Sequence, residues 1–120
     1  MTEYRKIAKS DAQTRGESSQ YVIKNYVTKD TSPRVSLAVS RLQGVIPMTM
    51  NTVSDRVYYF VSGAAVVSFP GGRQEELEAG DVLYISHQTQ YSVRGTFEAV
   101  LINAPAFDLA NEKPVEGRVK

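Results

Sequence analysis

The sequence predicts an all-β fold, an antiparallel sandwich or small barrel with little helix. Three observations carry this reading. Short runs rich in β-branched and aromatic residues recur at close spacing, as in YVIKNYV (21–27) and RVYYFVSG (56–63). Turn chemistry built on Gly, Pro, Asp and Ser separates them. No stretch carries the apolar period of a long amphipathic helix, and no internal repeat is present.

Taken in order, residues 1–19 are polar, with Arg5, Lys6, Lys9, Arg15 and a Ser-Ser pair, and read as an arm holding at most one short helical turn. The arm is either a mobile terminus or a strand or arm that docks on a partner subunit. Strands begin at Tyr21. After the turn cluster KDTSP comes VSLAVSRL, in which Val35, Leu37 and Val39 share one face. Gly44 and Pro47 punctuate the next stretch. RVYYFVSG ends in a glycine, AAVVSF follows, and Pro70-Gly71-Gly72 closes a tight hairpin into RQEELEA. Gly80-Asp81 is a further turn before VLYIS. YSVR and FEAVLIN are the last strands, and FDLANEK has the makings of one helical turn capped by Asp108. The count is about nine strands in a single domain, with a barrel expected over residues 20–112 and a C-terminal tail over 113–120.

Composition narrows the function classes. The chain has 120 residues and a net charge of +1, from 14 basic and 13 acidic residues, so no bulk attraction to nucleic acid or an anionic membrane is expected. There is no cysteine, which excludes disulfides, zinc–thiolate sites and thiol catalysis. The N-terminus has no apolar core of a secretory signal, and no apolar run is long enough to cross a bilayer, so a cytoplasmic location is expected. No Gly-rich phosphate loop or nucleophile elbow appears.

Two stretches carry a longer pattern. Gly44 is followed by VIPMT, then Met50-Asn51-Thr52, then VSD, Arg56, VYYFVS and Gly63. Gly80 is followed by DVLYI, then Ser86-His87-Gln88, TQ, Tyr91, SVR and Gly95. In spacing these resemble the two motifs of the cupin superfamily. The short segment between them, LEAGDVLYIS and the tail LINAPAFDLANE resemble small, single-domain (cupin_2-like) members. The resemblance covers roughly residues 35–110. It implies a cupin-type jelly-roll antiparallel β-barrel.

The family's metal ligands are two histidines and a glutamate from the first motif and a histidine from the second. The matching positions here are Met50, Thr52, Arg56 and Tyr91, so the resemblance implies the frame of a metal site without its ligands. The chemistry agrees, because His87 is the only histidine and a guanidinium cannot ligate a cation. Arg56 would repel a metal ion by on the order of several kcal/mol. No bound transition metal and no cofactor are expected.

In that pattern Met50, Thr52, Arg56, Tyr58 and Phe60 point inward, joined by Tyr91 and Val93. The ligand-binding candidates are therefore Arg56, Tyr58, Tyr91, Thr52 and Met50, in a pocket suited to a small polar or anionic molecule such as a sugar, sugar phosphate or carboxylate. An inward arginine needs a partner, for which Asp55 or a nearby glutamate are candidates. Tyr59 should face the opposite side. His87, in a loop by the barrel mouth, is the candidate acid–base residue. Three readings stay open: a metal-free ligand-binding protein, a metal-independent isomerase, epimerase or lyase acting on a sugar-like substrate, and a structural dimer module whose barrel is filled by its own side chains. A homodimer is expected, with YVIKNYV as the edge strand that pairs.

Overall fold

The computed structural model describes residues 3–115 of the chain. Eight strands form one antiparallel sheet that curls into a barrel: β1 (Gln13–Ser18), β2 (Tyr21–Val27), β3 (Ser36–Asn51), β4 (Asp55–Phe69), β5 (Arg73–Glu78), β6 (Val82–Ile85), β7 (Tyr91–Ala104) and β8 (Glu112–Pro114). The path runs β1-β2-β3-β7-β4-β5. β6 pairs with the first part of β4, and β8 with the end of β3. Among the described residues helix is confined to two short 3-10 turns, Lys9–Asp11 and Leu109–Asn111. No helix among the described residues is long and apolar enough to cross a membrane.

The expected turns form where their chemistry sits. Pro70-Gly71-Gly72 links β4 to β5, with Phe69 opposite Arg73. Gly80 and Asp81 lead into β6 and bond back to Phe60. Asp108 caps the Leu109–Asn111 turn by accepting from the Ala110 N–H at 3.0 Å.

Three features differ from expectation. Residues 13–18 form a strand that pairs with β2 of the same chain, and Lys113 and Pro114 belong to β8, so strands run past both expected ends of the barrel. Residues 116–120 of the expected tail lie outside the described residues. YVIKNYV is no edge: β2 is hydrogen-bonded to β1 on one side and β3 on the other, so its backbone groups are already used.

The barrel closes because its long strands bend at glycines. Gly63 and Gly95 sit two rows apart on the β4–β7 ladder, opposite Phe97 and Ala65. A Cβ on Gly63 would lie 2.1 Å from the Thr96 carbonyl oxygen, and one on Gly95 would lie 2.3 Å from that of Ala64. Both residues also take positive φ, +83° and +148°. Glycine thus lets two backbones touch where the sheet folds over. Beside this corner Phe60, Val67, Val93, Phe97 and Ala99 form the packed end of the core, with the Phe60 and Phe97 rings edge to face at 5.1 Å.

Gly63→Ala and Gly95→Ala are expected to destabilise by more than about 3 kcal/mol each, since backbone must shift to admit the methyl group. Gly71→Ala, whose Cβ would meet nothing within 4 Å, should cost about 1 kcal/mol through its positive φ alone. Urea denaturation of the three variants checks this order.

Candidate functional site

The other end of the barrel is open. A cavity of about 510 Å³ lies among β1, β2, β3, β4, β7 and the C-terminal segment. Small inward residues on β3, Ser36 and Ala38, leave that room. Its walls are largely apolar and aromatic: Tyr21, Ile23, Ile46, Leu101 and Phe107. Its polar groups converge at the base, where Arg56, Tyr58, Tyr91, Asn103 and Glu112 meet.

Arg56 is 4% exposed and is the centre of this cluster. The strand alternation of β4 turns it inward with Tyr58 and Phe60. Its Nη2 donates to Glu112 Oε1 at 2.8 Å and its Nη1 to Oε2 at 3.2 Å, a two-pronged ion pair. Nε donates to Asn103 Oδ1 at 2.8 Å, and Nη1 also bonds the Tyr91 hydroxyl. Glu112 accepts further bonds from Asn51 Nδ2 at 3.0 Å and Thr49 Oγ1 at 3.1 Å. The guanidinium groups of Arg15 and Arg56 both lie over the Phe107 ring, 5.5 Å and 5.9 Å from its centre.

The electrostatics follow from this packing. Burial alone would lower the pKa of Arg56, but Tyr91, Glu112 and Tyr58 outweigh it and hold the guanidinium above its ordinary value. Burial would likewise raise the pKa of Glu112, yet Arg56, Asn51 and Thr49 keep it below its ordinary value. Both groups are charged and cancel one another. Burial pushes the Tyr58 phenol well up, so it stays protonated and able to donate. Its hydroxyl lies 3.3 Å from that of Tyr91.

Of the five ligand-binding candidates, the structure brings Arg56, Tyr58 and Tyr91 together on the cavity. Met50 and Thr52 do not line it, which corrects the expectation that they point inward. A register shift between Ile46 and Thr49 reverses the alternation of β3, and one residue of slip changes the face of every side chain after it. Thr49 and Asn51 therefore face Glu112, while Thr52 Oγ1 bonds the Asn111 carbonyl at 3.3 Å. Asn51 also accepts from the Val53 and Ser54 N–H groups and so shapes the β3–β4 turn.

His87 is not part of the cavity. Its Nδ1 and its backbone N–H each lie 2.9 Å from Asp55 Oδ1, on the outer side of β4. Bonds from His87 and Tyr84 hold the Asp55 carboxyl below the usual carboxylate range. Asp55 is thus the partner of His87 and not of Arg56. The residues missed in the sequence are Glu112 and Asn103, and the signal for them was the need of a buried arginine for an acceptor-rich partner.

The metal frame can be tested against these contacts. Its four positions hold Met50, Thr52, Arg56 and Tyr91, and Arg56 fills the central one as a buried cation already bonded to a carboxylate. No group of three or more His, Cys, Asp or Glu that could hold a metal occurs among the described residues. These residues do not fit a metal ion.

No protein-family model matches the chain, and no curated protein does. Solved structures do match. A form of Streptomyces Pac13 with uridine is 23% identical, with a TM-score of 0.82, covering 96% of this chain and 92% of that one; Pac13 is a nucleoside dehydratase. KdgF from Halomonas sp. is 16% identical at a TM-score of 0.73, covering 87% of this chain and 96% of its own. The polyketide cyclase RemF from Streptomyces resistomycificus is 13% identical at 0.74, covering 93% and 85%. Likeness at these identities shows the fold, and the chain has the cupin-type β-barrel.

Glu112→Gln leaves the Arg56 charge buried without its counter-charge, and a loss of about 3–5 kcal/mol is expected. Because the folded-state pKa of Glu112 lies below its unfolded value, the pair stabilises fully above the ordinary glutamate value of 4.5 and is lost as pH falls through the depressed one. Urea unfolding across an acid pH series should show this loss in the native protein and a flatter profile in Glu112→Gln.

Proposed function

We propose that the chain is a metal-free, single-domain cupin of the small cupin_2-like kind that binds a neutral, hydroxyl-rich small molecule bearing a planar ring, with nucleosides as the ligand class. One observation carries this: the cation at the base of the cavity is matched by a carboxylate. An anion entering there meets Glu112 as well as Arg56 and would have to break a satisfied pair. A neutral ligand finds phenol donors, amide groups and carboxylate oxygens for its hydroxyls, and aromatic and aliphatic walls for its ring. The shared fold with Pac13, solved with uridine, supports the class. The cavity of about 510 Å³ counts against a self-filled barrel.

Calorimetric titration with uridine, a sugar phosphate and a small carboxylate tests the reading. Uridine is expected to bind and to raise the melting temperature, with affinity falling about five- to tenfold in Tyr91→Phe as one hydrogen bond is lost. Tighter binding of the phosphate or the carboxylate would overturn it. Elemental analysis of untagged protein is expected to find no stoichiometric transition metal.

A second reading, a lyase that removes water from a sugar-like substrate, is favoured by the contact chain Tyr58–Tyr91–Arg56–Glu112, which links two phenols to a carboxylate beside the cavity. His87 lies outside this chain. Mass spectrometry of incubated nucleosides, read for loss of one water and for its absence in Tyr91→Phe, distinguishes turnover from binding.

A further inference from the structure

One polar row crosses three strands of the cavity wall. Ser36 on β3 stands opposite Asn103 on β7, and Asn103 stands opposite Arg56 on β4. Residues paired in this way share a face of the sheet, with Cβ atoms about 5 Å apart. All three line the cavity, and Ser36 and Asn103 are only 7% and 2% exposed.

The Asn103 amide can be oriented without ambiguity. Arg56 Nε–H only donates, so the atom 2.8 Å from it is the amide oxygen. The N–H2 group is thereby turned away from the guanidinium. No acceptor among the described residues takes its protons, and the nitrogen is not shut within protein, so it opens on the cavity. Ser36 is in the same condition. Its Oγ accepts from the Phe107 N–H at 2.9 Å, and no acceptor among the described residues takes its own proton. In each side chain the acceptor atom is engaged and the donor is left over. A buried donor is costly to leave unmatched, and in a cavity wall the ligand is what can match it.

We propose that Ser36 and Asn103 together read a carbonyl oxygen on the planar ring of the ligand, and so decide which base the site accepts. The inference rests on the nucleoside reading above and adds the contact that discriminates within that class. A carbonyl oxygen has two lone pairs and no proton, which matches one O–H and one N–H donor side by side. A ring amino group would bring donors against donors and leave all of them unpaired. A sugar hydroxyl could accept here, but its own proton would find the Asn103 and Ser36 oxygens already bonded. Ser36 also fixes the backbone of Phe107, whose ring lines the cavity. One residue thus sets both an apolar wall for a planar ring and a donor for its oxygen.

Calorimetric titration of the full chain with uridine, 2-thiouridine and 4-thiouridine tests this. Each analogue replaces one of the two ring carbonyls by a thiocarbonyl, whose sulfur is the weaker acceptor. One of the two is expected to bind about tenfold more weakly than uridine. Asn103→Asp keeps an oxygen for Arg56 Nε and removes the N–H2 group, so it should weaken uridine by about tenfold and erase the difference between uridine and that analogue. Ser36→Ala leaves the Arg56 contacts alone and should shrink the same difference severalfold, with native circular dichroism. Uridine that binds no better than either analogue overturns the inference and leaves the nucleoside reading standing. So does a difference that stays unchanged in either variant. Failure of all three nucleosides to bind overturns the nucleoside reading, and the inference with it.

Discussion

A guanidinium buried in a barrel has to be satisfied, and much of this structure is arranged around satisfying Arg56. Its bonds reach Glu112 on β8, Asn103 and Tyr91 on β7, and through Glu112 they reach Thr49 and Asn51 on β3. One side chain thus ties the C-terminal strand to three long strands. The short β8 ladder is only three residues, and the ion pair anchors it from within. Removing either charge would leave the other stranded in a low-dielectric site, which is why the two behave as a unit.

The same pair sets the charge at the base of the cavity. A lone arginine would have made an anion site. With Glu112 bonded to it through both oxygens, the two charges at the base of the cavity cancel. His87, the natural proton carrier by residue type, is held outside by Asp55. Residue type alone therefore misplaces it, since β4 alternation puts Asp55 and Arg56 on opposite faces of the sheet.

One strand shapes both faces of the barrel wall. β3 turns small residues inward and aliphatic residues outward in its first half. The small residues leave the cavity its volume, and the aliphatic ones contribute to the outer face. The cavity inside and the apolar outer face are thus two consequences of a single alternation.

The features legible in the sequence are those written by neighbouring residues. The β-rich pattern, the Pro70-Gly71-Gly72 hairpin, the Gly80-Asp81 turn and the Asp108 cap all follow from local backbone preference. The glycine spacing of the two motifs pointed to the fold, and two of those glycines, Gly63 and Gly95, sit where a Cβ would strike neighbouring backbone. The inward course of Arg56, Tyr58 and Tyr91 followed from their positions in the motif spacing that resembles the cupin pattern. What only the tertiary structure decided depends on contacts between distant segments. Glu112 lies 56 residues from Arg56, and no local rule joins them. The register shift after Ile46, which takes Met50 and Thr52 away from the cavity, is set by how β3 pairs with β7 and β8. Pairing register, unlike turn chemistry, is a property of two chains of residues at once, and a single strand does not carry it.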